Sequence, residues 1–197
     1  DIFRRTRERD YCHGSGTWRH EDTRDEYLQQ LADRITLARP LKVVVDAGNG
    51  VAGLTAPALF VRLGCEVVEL YCEVDGHFPH HHPDPNQPEN LQALVAAVKR
   101  ERADIGLAFD GDGDRLGVVS CRGEIIWPDR LLMLLARDLL KRHPGAEVIY
   151  DVKCSRNLGR EIKRHGGHPE MWHSGHSRLK ARMQERGALL AGEMSGH

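Results

Sequence analysis

The sequence lacks a long apolar run, an excess of one charge and any closely paired cysteines. No apolar run approaches the ~18 residues that a membrane-spanning helix needs, so we expect no membrane partner. The 28 Lys and Arg residues nearly balance the 29 Asp and Glu residues, which argues against a nucleic-acid partner. The five cysteines are scattered without a CxxC pair, a pattern typical of reduced thiols in a cytoplasmic protein.

The most informative stretch is the hexapeptide 110–115, in which three aspartates alternate with glycines before an arginine. It follows the apolar run 105–109 and precedes the apolar run 116–119, and both runs predict short buried strands. Because glycine can adopt a positive φ, this loop can curl and its three carboxylates can converge. The three carboxylates belong to Asp110, Asp112 and Asp114.

Converging carboxylates favour a bound cation. Two carboxylates about 4 Å apart repel each other by roughly 4 kcal/mol at an effective dielectric constant of 20. Arg115 supplies one fixed positive charge, and a hard divalent ion would supply the rest. Because the loop offers oxygen ligands and no Cys or His, Mg²⁺, Ca²⁺ or Mn²⁺ is favoured over Zn²⁺.

Two other chemistries use acidic loops of this kind. An EF-hand needs a carboxylate at position twelve, and counting from Asp110 that position is Cys121, which excludes an EF-hand. Phosphatases of the haloacid dehalogenase type begin with Asp-x-Asp after a strand, but they usually carry Thr or Val where this chain has Asp114. The phosphatase pattern thus fits only in part. A Mg²⁺-dependent phosphohydrolase built on the Asp110 loop is the alternative enzyme function.

The hydrophobic pattern predicts an α/β protein with two domains. The polar residues 1–22 are predicted to be a tail or linker. Residues 23–124 carry the order β-α-β-α-β-β, which predicts a mixed four-stranded sheet flanked by helices. Residues 125–197 alternate again between helix and strand patterns and predict the start of a second, similar α/β domain. Because the chain stops on the loop-like stretch 192–197, we expect a fragment of a larger protein.

Individual elements follow from apolar spacing and from the positions of Pro and Gly. A helix over 51–63 contains Pro57, so we expect it to start late or to kink. The other predicted helices cover residues 2–9, 25–38, 88–101, 129–142, 155–165 and 176–186. The predicted strands cover residues 41–45, 66–71, 104–109, 116–120, 146–151, 168–172 and 188–191.

Several separated motifs, in one order along the chain, resemble the α-D-phosphohexomutases, the phosphomannomutase/phosphoglucomutase enzymes. The resemblance runs from about residue 23 to the end and best fits the bacterial dual-specificity group. The motifs that carry it are Val43–Gly53, Tyr71–Pro85, Leu107–Val119 with its core Asp110–Arg115, Tyr150–Cys154 and Gly192–His197.

The resemblance implies a hexose phosphomutase that depends on Mg²⁺. Family members transfer a phosphoryl group from an enzyme phosphoserine to a hexose monophosphate. The resulting hexose 1,6-bisphosphate turns over in the site and returns its other phosphoryl group, which interconverts mannose or glucose 1-phosphate and 6-phosphate. By this resemblance Asp110, Asp112 and Asp114 match the Mg²⁺ ligands, and Arg115 matches a residue beside the reactive phosphate.

The same resemblance implies roles for five further residues. Lys153 and His176 match positions that line the active site near the substrate. Glu193 and Ser195 match the contacts to sugar hydroxyls, where a carboxylate can accept from two adjacent hydroxyls and a serine can donate or accept. His197 matches a position near the reacting hydroxyl, and we assign it to the catalytic group.

One departure from the family affects the expected activity. The family's phosphoserine loop, Thr-x-Ser-His-Asn-Pro or close to it, is absent, and Ser15 in a His-Gly-Ser-Gly context is only superficially similar. We therefore expect the second domain and the front of the third, with the missing domains of the same parent chain as partners. This chain alone is predicted to be inactive. A non-catalytic module that binds a sugar phosphate or a metal is a further alternative.

Two other patterns suggest different ligands. Gly48–Gly53 fits the G-x-G-x-x-G fingerprint of dinucleotide-binding proteins, with Glu69 further along the chain. We favour a tight turn in which Asp46 and Asn49 bond the loop backbone. The histidines between residues 77 and 82 suggest a metal site, but adjacent side chains in an extended segment point to opposite sides. A structural loop is the preferred interpretation.

Overall fold

The computed structural model describes residues 2–197, which fold into two α/β units. Residue 1 of the predicted tail lies outside the described residues. The helices are α1 (Ile2–Glu8), α2 (Arg24–Ala32), α3 (Ala56–Arg62), α4 (Gln92–Glu101), α5 (Pro128–Arg142), α6 (Arg156–Arg164) and α7 (His176–Arg186). The strands are β1 (Lys42–Asp46), β2 (Glu66–Leu70), β3 (Ile105–Phe109), β4 (Leu116–Ser120), β5 (Ile125–Ile126), β6 (Glu147–Asp151), β7 (His168–Trp172) and β8 (Leu190–Gly192).

The first unit, from α2 to β5, contains a mixed sheet in the order β2-β1-β3-β4-β5. Strand β1 is parallel to β2 and β3, whereas β3, β4 and β5 are antiparallel neighbours. The α/β class is confirmed, but the sheet has five strands rather than the predicted four. Gly123, at a φ of 78°, turns the chain back so that the two residues of β5 pair with β4. A two-residue strand is too short to show alternation in a sequence.

Helices cover both faces of the first sheet. Side chains alternate along a strand, so Val44 packs on the α4 side, whereas Val43 and Val45 pack on the α3 side. Gly106 lets α4 approach closely, because a Cβ there would lie 2.9 Å from a methyl carbon of Leu94. Leu94 is fully buried, which contributes about 1.5–3 kcal/mol of hydrophobic stabilisation.

The second unit, from α5 to β8, is a parallel three-stranded sheet in the order β7-β6-β8. Leu132 of α5 and Leu158 of α6 pack on one face of the sheet with Val148. Leu179 of α7 packs on the other face with Ile149. Because all three strands are parallel, the loops after β6, β7 and β8 leave the sheet at the same edge.

Helix ends differ from prediction where proline and polar residues interrupt the spacing. The predicted helix over 51–63 is a 3₁₀ turn, Val51–Leu54, followed by α3, because Pro57 fits only the first turn of an α-helix. A second 3₁₀ turn, Pro88–Leu91, precedes α4. Helix α2 ends at Ala32, well before the predicted residue 38.

The amino-terminal segment lies outside both units. Residues 2–22, including α1, are exposed throughout. Across residues 2–197, every helix is too short or too polar to cross a membrane.

Candidate active site

The acidic loop, Asp110–Arg115, joins the antiparallel strands β3 and β4. The Gly113 N–H donates to the Asp110 carbonyl oxygen at 3.1 Å, and Gly113 adopts a φ of 76° that suits glycine. From the turn after β1, the Val51 N–H donates to the Gly111 carbonyl oxygen at 3.1 Å. The acidic loop is therefore held both by its own backbone and by the neighbouring turn.

Asp110 is a buried carboxylate that Arg115 neutralises. The Arg115 backbone N–H donates to Oδ1 at 3.0 Å, and its Nε donates to Oδ2 at 2.7 Å. Burial acts to raise the pKa of Asp110, but these two bonds outweigh burial and leave the pKa below its usual value. Arg115 also donates to Asp84 Oδ1 at 3.1 Å, so its guanidinium lies between two carboxylates.

The three aspartates of the acidic loop fit a hard divalent cation. One carboxylate oxygen from each of Asp110, Asp112 and Asp114 lies within 4.8 Å of the other two. Among residues 2–197, they form the one such group of three or more His, Cys, Asp or Glu side chains. Asp112 and Asp114 are exposed, which leaves space for the water ligands that Mg²⁺ usually keeps.

The 192–197 loop follows β8 and folds back on itself. The Glu193 N–H donates to the His197 carbonyl oxygen at 3.1 Å, and the Gly196 N–H donates to the Glu193 carbonyl oxygen at 3.2 Å. The Glu193 side chain is only 5% exposed, and its Oε1 accepts a hydrogen bond from the Gly175 N–H. The loop after β7 therefore fixes the Glu193 carboxylate.

His197 lies between the acidic loop and the 192–197 loop. Its Nε2 is 3.0 Å from Asp114 Oδ2, and its Nδ1 is 2.9 Å from Ser195 Oγ. The same Nδ1 is 3.5 Å from Glu193 Oε2. The His197 ring also stacks on the His176 ring, with 5.3 Å between centroids and 17° between planes. One imidazole thus joins four of the predicted site residues.

Three residues that the sequence did not predict hold these loops. The Asn86 side-chain amide donates to the Ser195 carbonyl oxygen at 2.7 Å, and the Asn86 N–H donates to Asp84 Oδ1 at 3.1 Å. Asp84 in turn accepts from Arg115, so one short segment contacts both loops. The third is Asp151, buried at the end of β6. An acidic residue ending a buried apolar run at the carboxyl edge of a parallel sheet was the available signal.

Lys153 and His176 differ in how they relate to the other site residues. His176 begins α7 and lines a cavity of about 110 Å³ with Lys180, Glu193 and His197. Lys153 lies exposed in the turn after β6, and within residues 2–197 it forms no ion pair. The structure therefore joins His176 to the 192–197 loop and leaves the Lys153 amine without such a link.

The turn after β1 is the predicted tight turn. Asp46 Oδ1 accepts from the Gly48 N–H at 2.9 Å, and the Asn49 amide donates to the Glu73 carbonyl oxygen at 2.8 Å. Asn49 adopts a φ of 63°, a conformation that asparagine tolerates better than most residues. The prediction that the side chain bonds the backbone of this turn is confirmed for Asp46, whereas Asn49 bonds the backbone of the segment after β2 instead.

Two of the neighbouring histidines contact that turn. His80 Nδ1 is 2.7 Å from Asn49 Oδ1, and the His80 ring stacks on Tyr71 with 4.1 Å between centroids. His81 Nε2 is 3.2 Å from each carboxylate oxygen of Asp46. These contacts give both rings a structural role.

Two protein-family models together match most of the chain. A family model described as phosphoglucomutase/phosphomannomutase, alpha/beta/alpha domain II, matches residues 25–123. The corresponding model for alpha/beta/alpha domain III matches residues 127–197. Together the two models cover both units of the fold.

Individual relatives are similar over the whole chain. A phosphomannomutase/phosphoglucomutase of Pseudomonas aeruginosa is 58% identical over 196 residues, which is 100% of this chain and 42% of the relative. The crystal structure of a family protein from Burkholderia thailandensis is 56% identical, with a TM-score of 0.95 over 100% of this chain and 43% of that chain. This chain therefore spans about two fifths of the length of such relatives.

A more distant structure shares the fold. An Aspergillus fumigatus N-acetylphosphoglucosamine mutase, solved in complex with GlcNAc-6P and magnesium, has a TM-score of 0.63 at 15% identity. The similarity covers 89% of this chain and 38% of that chain.

Proposed function

We propose, from the premise that this chain belongs to the phosphoglucomutase/phosphomannomutase family, that it is the Mg²⁺- and hexose-binding part of a hexose phosphomutase. The proposed reaction interconverts mannose or glucose 1-phosphate and 6-phosphate through a hexose 1,6-bisphosphate. The phosphoserine that carries the phosphoryl group would lie in a part of the protein outside these residues. A cytoplasmic location stays a prediction.

The contact through His197 carries this proposal. Its Nε2 lies 3.0 Å from Asp114 of the acidic loop, and its Nδ1 lies 2.9 Å from Ser195. A phosphomutase needs its phosphoryl-neutralising groups next to its sugar-binding groups, because the transferred group sits on a sugar hydroxyl. These two loops belong to different units of the fold and nevertheless meet at one side chain.

The acidic loop is suited to hold the metal. Asp110, Asp112 and Asp114 would bind Mg²⁺, and Mg²⁺ is the ion in the complex of the distant Aspergillus relative. Bound there, Mg²⁺ would neutralise negative charge on a phosphoryl group. Arg115 presents a guanidinium that Asp110 and Asp84 orient, and it would add a second positive charge beside the phosphate.

The 192–197 loop is suited to hold the sugar. The Glu193 carboxylate keeps one oxygen on the Gly175 N–H and would accept from sugar hydroxyls with its remaining capacity. Ser195 would donate to or accept from a neighbouring hydroxyl. Lys153, in the turn after β6, and His176, at the start of α7, would contact the same substrate. His197 would hold a proton close to the reacting hydroxyl.

Phosphorus NMR and calorimetry test this function together. The chain is mixed with Mg²⁺ and glucose 1-phosphate or mannose 1-phosphate, each with a trace of the hexose bisphosphate. We expect saturable binding without conversion, and at least a tenfold loss of sugar-phosphate affinity on Glu193→Ala. Glu185→Ala, on the exposed side of α7, is the matched control and should bind as the unchanged chain does.

Three results would contradict the proposal. Release of inorganic phosphate would assign a phosphohydrolase. Formation of the 6-phosphate would place the phosphoryl carrier within these residues. Unchanged affinity in Glu193→Ala would remove the 192–197 loop from the sugar site.

A further inference from the structure

A fully buried carboxylate, that of Asp151, lies where the three strand-end loops of the second unit meet. Asp151 is the last residue of β6, the central strand, and its side chain is fully buried. The loops that follow β6 and β8 carry Lys153 and Glu193, and the loop that follows β7 leads directly into His176, the first residue of α7. Asp151 is therefore positioned to contact all three loops at their bases.

Each of these loops donates one hydrogen bond to the Asp151 carboxylate. The Met194 N–H, after β8, donates to Oδ1 at 3.1 Å. The Ser174 hydroxyl, after β7, donates to Oδ2 at 2.7 Å. The Cys154 thiol, after β6, donates to Oδ1 at 3.1 Å. No two of the three donors come from the same loop.

The Cys154 thiol is suited to donate rather than to react. Burial, and next the adjacent Asp151 carboxylate, raise the pKa of Cys154 far above its usual value. The thiol therefore keeps its proton at neutral pH. Cys154 functions in this structure as a hydrogen-bond donor and a small core residue, and its sulfur is not a nucleophile.

Three neutral hydrogen-bond donors explain how the ionised Asp151 carboxylate can be fully buried. A buried ionised carboxylate is costly unless hydrogen bonds replace its lost water, and bonds to a charged acceptor are stronger than bonds between neutral groups. Met194, Ser174 and Cys154 supply those bonds. Since each bond is charge-assisted, removing the charge weakens all three anchors at once.

Two backbone hydrogen bonds also hold the turn that follows β6. The Val152 N–H donates to the Trp172 carbonyl oxygen at 3.1 Å, and the Cys154 N–H donates to the Asp151 carbonyl oxygen at 3.1 Å. These bonds fix both ends of the three-residue turn that contains Lys153. The backbone of the turn that carries Lys153 is therefore anchored at the end of β6.

We propose that Asp151 is a positioning residue that sets the relative placement of the three substrate loops of the second unit. This inference rests on the proposed function for the identity of the ligand. It assigns no contact between Asp151 and the substrate. Asp151 acts through the backbone of Met194, the Ser174 hydroxyl and the Lys153 turn.

The experiment compares Asp151→Asn with Asp129→Asn in the same chain. Asp129 is also a buried carboxylate of the second unit, but within residues 2–197 its side chain accepts one hydrogen bond, from the Ser155 N–H at 3.1 Å. Both substitutions remove one buried charge at nearly constant volume. Amide hydrogen exchange at Met194 and Gly175, affinity for glucose 1-phosphate, and affinity for Mg²⁺ are measured for each variant.

We expect Asp151→Asn to accelerate exchange at Met194 and Gly175 at least tenfold and to weaken glucose 1-phosphate binding at least tenfold. Mg²⁺ affinity should stay unchanged, because the acidic loop belongs to the first unit. Asp129→Asn should leave exchange at those two amides and the sugar-phosphate affinity within twofold of the unchanged chain. Equal effects of the two substitutions, or no effect of Asp151→Asn, would overturn the proposal.

Ser174→Ala provides a second test if Asp151→Asn fails to fold. It removes one donor from a half-buried hydroxyl, and we expect about a threefold loss of sugar-phosphate affinity, with rescue by Ser174→Thr. No loss in Ser174→Ala would overturn the inference. If the unchanged chain does not bind glucose 1-phosphate at all, the proposed function fails, while the exchange rate at Met194 still decides the role of Asp151.

Discussion

The two units place a buried aspartate at the same point of the fold and use it differently. Strands β1 and β6 are both five residues long, both lie inside their sheets, and both end in an aspartate that is at most 1% exposed. Asp46 accepts from the Gly48 N–H and faces the ring of His81. Asp151 accepts from three neutral donors on three loops.

The difference shows how a strand end can serve either a turn or a binding surface. Burial raises the pKa of Asp46, and the nearby His81 only partly offsets burial. Its bonds fix a turn that supports the acidic loop through the contact between Val51 and Gly111. In the second unit the equivalent carboxylate contacts the loops that we assign to the substrate. The first unit therefore supports its site indirectly and the second directly.

The largest expected effect tests whether the two units are separate folding units. Leu94→Ala in α4 and Leu158→Ala in α6 each remove a fully buried leucine, one from each core. Each should lower the free energy of unfolding by about 2–5 kcal/mol. Differential scanning calorimetry should then show each substitution lowering a different transition. A single transition lowered equally by both would mean that the units unfold as one.

The next prediction separates the functions of the two loops. Asp112→Asn should weaken Mg²⁺ binding at least tenfold, about 1.4 kcal/mol, without changing the free energy of unfolding, because Asp112 is exposed. Ser195→Ala should leave Mg²⁺ affinity unchanged and weaken glucose 1-phosphate binding. Calorimetric titration of each variant with each ligand gives the four affinities. Loss of Mg²⁺ affinity in Ser195→Ala would mean that Mg²⁺ binding and sugar-phosphate binding are not separated between the acidic loop and the 192–197 loop.

Breaking the hydrogen bond between the two units should have a smaller effect on stability. Asn86→Ala removes the amide that donates to the Ser195 carbonyl oxygen at 2.7 Å, so stability should fall by about 1 kcal/mol. Its neighbour Gln87 offers a control, because Gln87→Ala leaves that hydrogen bond intact. Urea unfolding measures both variants. If Asn86→Ala and Gln87→Ala are equally stable, the bond between Asn86 and Ser195 does not stabilise the contact.

Sequence patterns predicted elements well where the pattern is local. The bounds of β4, β7 and α7 are those that apolar spacing predicted, and the acidic loop lies between two strands as expected. Local spacing cannot report a contact such as that between Asn86 and Ser195, which are 109 residues apart. Local spacing also cannot report the register of β8 beside β6, which pairs residues about 40 positions apart, such as Val148 with Leu190.

The candidate site shows the same limit, since local sequence patterns do not report contacts between distant residues. Three aspartates within five residues predict a metal loop, because the intervening glycines allow the chain to curl and the carboxylates to converge. Asp151 carries only the weaker signal of an acidic residue at the end of a buried strand, because its three partners come from three loops and only the folded sheet brings them together. The sequence of β6 differs little from that of β1, so pattern alone does not distinguish the two strand ends.

The smallest expected effect concerns a surface ion pair of the first unit. Asp104 accepts from Arg39 at 2.6 Å and from the Lys42 N–H at 2.8 Å, and these bonds lower its pKa to about 2. Because the folded pKa lies below the unfolded value of about 3.9, the pair stabilises the folded state above pH 4. That contribution is lost as the pH falls from about 4 towards about 2.

Asp104→Asn should therefore lower the midpoint of urea unfolding slightly at pH 7, because exposed pairs contribute little, and leave it unchanged near pH 2. The dependence of that midpoint on pH between 2 and 4 should become flatter. The matching pair of the second unit is Glu170 with Arg182, which lowers the pKa of Glu170. Glu170→Gln should flatten the acid side of the pH dependence, below the usual glutamate pKa of about 4.3, for the transition of the second unit only. Flattening of both transitions by one substitution would mean that acid unfolds the two units together, which would contradict their independence.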